Sequence, residues 1–172
     1  MNRLKSSSLA LALLMPFAGA QSSVIPDTET ARIEVHRGRV VLLNGGRAEQ
    51  SLRRGEDTLT RGGAHIEIGT GSEVHLSWPG RASLHIWGPS SLQWSYEQPA
   101  AGSLPNSTPS LQWNLLELAW CDLEVRKGQH EVKLPGGWTA DVGPSAVYFR
   151  GLPSGPVELR LHAGQAVRVD WN

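Results

Sequence analysis

Short runs with apolar residues at every second position succeed one another along this chain, the spacing that sends alternate side chains to opposite faces of a β-strand. Ile66 and Ile68, then Val74, Leu76 and Trp78, then Leu84 and Ile86 carry it most clearly, with Glu67, Glu73, His75, Ser77, Ser83 and His85 as polar alternates. Such alternation belongs to sheets with one face on a core and the other in water, and therefore to mainly antiparallel ones. Ile33 and Val35, Val40 to Leu43, Leu92, Trp94 and Tyr96, and Leu111, Trp113 and Leu115 repeat the pattern. So do Cys121, Leu123 and Val125, Val132 and Leu134, Trp138, Ala140 and Val142, Val157, Leu159 and Leu161, and Val167, Val169 and Trp171.

Turn chemistry separates the runs. Asn44-Gly45-Gly46 supplies the positive backbone dihedrals of a tight hairpin, and Gly69-Thr70-Gly71-Ser72, Pro79-Gly80, Gly128 and Gly136-Gly137 punctuate the later runs. Ala163-Gly164-Gln165 reads as the turn between the last two strands. The expected fold is all-β: a single domain of short, mainly antiparallel strands over residues 32–172, closed as a sandwich or stacked as a short β-solenoid. Residues 97–110, with three prolines among small polar residues, read as a loop or insert.

The N-terminus has the form of an export signal. Arg3 and Lys5 precede an apolar run from Leu9 to Phe17 and the small residues Ala18-Gly19-Ala20, so residues 1–20 are expected to be removed and residues 21–31 to form a flexible mature end. The apolar run is shorter than the roughly 20 residues that span a bilayer, and no later segment reaches that length, so no transmembrane span is expected after cleavage. The body is then periplasmic or secreted. Loss of Arg3 and Lys5 leaves 14 basic residues of 16 against 16 acidic, a formal charge of −2, which argues against a nucleic-acid partner. Cys121 is the only cysteine, so stability rests on the core rather than on an internal disulfide.

The chemistry-bearing residues are few. Seven tryptophans are many for 172 residues. By parity Trp78, Trp94, Trp113 and Trp171 belong to the core, while Trp87 and Trp120 fall opposite Leu84/Ile86 and Cys121/Leu123 and are the candidates for a binding patch. His65, His75 and His85 recur every ten residues on the polar side of their strands and are the weak candidates for zinc ligands, which need imidazole nitrogens converging at about 2.0–2.1 Å. A strand-turn rhythm also spaces solvated histidines this way, and neither a metal nor any other cofactor is expected. No Gly-x-Ser-x-Gly elbow, His-Glu-x-x-His pair or phosphate-cradling loop occurs, and Cys121, in phase with Leu123 and Val125, reads as an inert buried thiol. A catalytic role is not expected.

The run from Leu52 to Trp94 resembles the FecR-like domain, a bacterial export-side β module. The matching pieces are Gly55-Glu56, Gly62-Gly63, Ile68-Gly69-Thr70-Gly71-Ser72, the alternations at Val74 to Leu76 and Leu84 to Ile86, and Gly88-Pro89-Ser90-Ser91-Leu92. Leu123-Glu124-Val125, Leu134-Pro135-Gly136-Gly137 and Val142-Gly143 are similar to the second half of that domain. In the family's best-known members the domain follows a membrane span and a cytoplasmic tail that controls a sigma factor, and it contacts an outer-membrane receptor. With neither span nor tail here, the resemblance implies the fold and a binding role for a stand-alone module. Its expected partner is an envelope protein or polysaccharide, with a carbohydrate-binding module as the alternative through Trp87 and Trp120, and a metal-binding or enzymatic protein as the third reading through the histidines.

Overall fold

A computed structural model describes residues 30–44, 47–97, 110–152 and 155–171. Among them are fifteen strands and no helix: β1 (Thr30–Arg37), β2 (Arg39–Asn44), β3 (Arg47–Arg53), β4 (Asp57–Arg61), β5 (His65–Ile68), β6 (Glu73–Trp78), β7 (Ala82–Trp87), β8 (Ser90–Glu97), β9 (Ser110–Glu117), β10 (Trp120–Val125), β11 (His130–Leu134), β12 (Trp138–Val142), β13 (Ser145–Gly151), β14 (Val157–Gly164) and β15 (Arg168–Trp171). They form a sandwich. One sheet has seven strands in the order β14-β13-β10-β7-β6-β1-β4, and the other eight in the order β15-β12-β11-β9-β8-β5-β2-β3. Every described ladder is antiparallel except β9 with β11.

Period-two alternation becomes packing directly. β6 and β7 have opposite burial phases along their strands, so Val74, Leu76 and Trp78 join Leu84 and Ile86 on the inner face while Glu73, His75, Ser83 and His85 point outward. The opposing sheet contributes Ile66, Leu92, Trp94, Leu111, Trp113 and Leu115, and the two inner faces make one core. At its centre, Trp78 meets Trp94 and Trp113 edge to face, each pair with ring centres 5.4 Å apart. The Cys121 thiol lies in the same core, fully buried and pushed above its ordinary pKa by desolvation, as its parity implies.

Chain connectivity alternates between the sheets. The five hairpins β2–β3, β6–β7, β8–β9, β11–β12 and β13–β14 stay within a sheet, and the other nine connections cross from one to the other. Three crossings, β1 to β2, β5 to β6 and β7 to β8, meet around Ser72. Its hydroxyl donates to the Arg39 carbonyl at 3.0 Å and accepts from the Arg39 N–H at 2.9 Å, and its own carbonyl accepts from the Gly88 N–H at 3.0 Å. Gly38 makes the first of these crossings in one residue with φ +75°, and a Cβ there would overlap Ser72.

Several expectations need correction. β1 begins at Thr30, inside the segment assigned to the N-terminal end. Glu97 and Ser110 are paired strand residues; residues 98–109 of the insert, Gly45 and Gly46 of the first hairpin, and the export signal lie outside the described residues. β3, β4 and β13 are strands that the period-two pattern does not reveal. β14 and β15 are not a hairpin: they are the outermost strands of different sheets, β14 runs through Ala163 and Gly164, and the chain crosses between sheets beyond them. Trp171 is not a core residue, being 71% exposed on β15, the outermost strand of its sheet.

Candidate metal centre and aromatic row

The outer face of the seven-stranded sheet collects the polar alternates of β1, β6, β7, β10 and β13. Antiparallel register places His75 directly across from His85, with Glu34 flanking His75 and Asp122 flanking His85. His36 joins them through a β-bulge. Val35 pairs with Val74 and Arg37 with Glu73, which leaves His36 as the extra residue, and such a bulge re-aims a side chain. The three imidazoles form a triangle with ring centres 6.2, 5.7 and 6.2 Å apart, mutually inclined at 66°, 50° and 84°.

Two carboxylates border the triangle. Glu73 Oε1 lies 3.0 Å from His85 Nε2. Glu34 Oε2 lies 3.9 Å from His36 Nε2 and 4.0 Å from His75 Nδ1, while the other oxygen of Glu34 accepts from Arg32 Nε at 3.0 Å. Donor atoms of Glu34, His36 and His75 fall within 4.8 Å of one another, and so do those of His36, Glu73 and His85. The pKa of His75 is held below its ordinary value, first by partial burial and then by the neighbouring His85 and His36, against the opposing pull of Glu34.

The same face continues as an aromatic row. His85 lies over Trp87 with ring centres 3.9 Å apart, and Trp87 stacks on Trp120, its direct cross-strand partner, at 3.3 Å and 9°. Trp120 is followed by Tyr148 at 5.9 Å, and Tyr148 by His162 at 6.1 Å. Trp87 and Trp120 are half-buried and adjacent, as opposite parity suggests, yet one face of each indole is spent on the other.

His65 takes no part in the triangle. It sits on β5 in the other sheet, where its Nε2 lies 2.6 Å from Ser91 Oγ, because the chain changes sheet between His65 and His75 at Gly69–Ser72. His36 does not stand out in the sequence, since it follows no ten-residue rhythm; its signal is the alternation Arg32, Glu34, His36 on the polar side of β1.

A second exposed feature lies at the end of the sandwich. Val157, Leu159 and Leu161 of β14 pair with the inward positions Gly151, Phe149 and Val147 of β13, and Val169 and Trp171 of β15 pair with Ala140 and Trp138 of β12. These are core-facing positions. Leu161, Val169, Trp138 and Trp171 nevertheless remain exposed. At the opposite end, Leu52 of β3 and Thr60 of β4 are buried.

The fold and these sites define a two-sheet β-sandwich with a histidine-rich outer face and one open end. No family model, no curated protein and no solved structure matches the chain.

Proposed function

We propose that this chain is an exported, non-enzymatic module that binds a protein of the cell envelope through the open end of its sandwich. The observation that carries this reading is the set of core-facing apolar residues that stay exposed at β14 and β15, beside two strand edges that no described strand pairs. Exposed edges accept an added strand from another chain, main-chain hydrogen bonds giving affinity and side-chain pockets giving specificity. β14 is long for an edge at eight residues, and its charges, Glu158 and Arg160, pair with each other on the outer face rather than guarding the inner one. The export signal and the FecR-like order of turns support the same role and compartment.

A polysaccharide partner is served less well by this geometry. A sugar ring stacks on an open indole face, whereas Trp87 is covered by Trp120 on one side and contacted by His85.

The test is site-specific photo-crosslinking in cells, with the probe placed at Leu161 or Trp171 and, as controls, at Leu59 or Arg126. The expected result is one and the same envelope protein captured from both end positions and not from the controls. Equal capture from all four positions, or none from the end, overturns the proposal.

A further inference from the structure

The geometry points to a binding site for one divalent late transition ion of the zinc, copper or nickel class, held by His36, His85 and Glu73, with His75 within reach as the fourth ligand. Imidazole donors suit these ions, and zinc also takes a carboxylate oxygen beside them. With nitrogens about 2.0–2.1 Å from a tetrahedral zinc and each ring centre about 1.1 Å behind its nitrogen, bound imidazole rings stand about 5.2 Å apart. The observed separations of 5.7 to 6.2 Å exceed this by little, and the rings are inclined rather than stacked, so their nitrogens can turn toward a common point. All four side chains are a third to a half exposed, which leaves them room for that contraction.

Glu73 is the better carboxylate of the two. Glu34 is engaged by Arg32, whose own guanidinium also holds Asp57 at 2.7 Å, so Glu34 is suited to orienting His75 from outside the ligand set. Three strands are needed to build the site, with β1 contributing His36, β6 Glu73 and His75, and β7 His85, and its rigidity comes from the sheet beneath. β10 and β13 separate it from the β14 edge, so it stands independently of the protein-binding role.

The experiment is zinc titration of the full mature chain, purified without a polyhistidine tag, followed by calorimetry, with the unfolding temperature measured in parallel. One equivalent is expected to bind and to raise the unfolding temperature, as a ligand specific for the folded state must. His36→Ala, His85→Ala and Glu73→Gln are each expected to weaken binding more than about tenfold, the loss that even an outer-shell partner produces. His65→Ala and His162→Ala are expected to bind as the parent does. Glu73→Gln keeps the size and shape of the side chain, so it decides the matter should either histidine variant unfold. Absence of saturable binding by the parent protein overturns the assignment, and so does undiminished affinity in His36→Ala and Glu73→Gln.

Discussion

His130 is the one fully enclosed titratable ring among the described residues, and its hydrogen bonds fix its protonation state. Its Nδ1 accepts from the Leu111 N–H at 2.9 Å, so it carries no proton, and its Nε2–H donates to the Lys127 carbonyl at 2.9 Å. Burial pushes its pKa down, outweighing the opposite pull of the Lys127 carbonyl, with the charge of Arg81 adding to the lowering. Since the folded pKa lies below the unfolded one, the stability this ring contributes is complete above about pH 6.5, the unfolded value, and is lost as pH falls toward the folded value. Urea midpoints measured from pH 7.5 to 5 are therefore expected to fall more steeply in the parent protein than in His130→Gln. At pH 7.5 the same substitution is expected to cost about 1–3 kcal/mol, since the buried Leu111 N–H loses a well-placed acceptor. The alternation places His130 in phase with Val132 and Leu134 on the buried side of β11, but its hydrogen-bond partners and its packing against Trp113, with ring centres 5.4 Å apart, come from contacts the sequence does not show.

The strands divide by how much of their packing is local. β6 and β7 are legible in the sequence because a hairpin keeps both partners within one stretch of chain, and that stretch also shows His75 and His85 on one face. β3 and β4 are not, because they carry too few apolar residues at alternate positions to show the period; Leu52 and Thr60 are the buried residues described in them. β13 is hidden for the opposite reason. Ala146, Val147, Tyr148 and Phe149 form an unbroken apolar run, since its outer face carries Tyr148 of the aromatic row. His36 escapes a sequence reading and His65 is over-read by it because strand pairing between β1 and β6, and the change of sheet after β5, are long-range events. Gly38 tests how tightly such a change is drawn. Gly38→Ala meets both a left-handed backbone and overlap with Ser72, whereas Gly55→Ala meets the backbone cost alone, with φ +82° and nothing within 4 Å. Gly55→Ala is expected to cost roughly 1–2 kcal/mol and Gly38→Ala clearly more, as read from denaturant midpoints.

Across the whole molecule the tryptophans separate stability from recognition. Trp113, 1% exposed and packed against Trp78, is expected to cost about 3–5 kcal/mol when replaced by alanine. Trp171→Ser, at a position open to solvent, is expected to move the denaturant midpoint by no more than about 0.5 kcal/mol. A loss at Trp171 comparable to that at Trp113 would mean the open end is part of the core and not a surface awaiting a partner. The nine crossings between sheets carry a last consequence, which concerns divisibility. The seven-stranded sheet draws on chain from β1 to β14 and the eight-stranded sheet on chain from β2 to β15, so no half of the polypeptide contains either one. A nick or truncation through the middle would not yield a smaller module; it would leave two pieces, each holding unfinished portions of both layers.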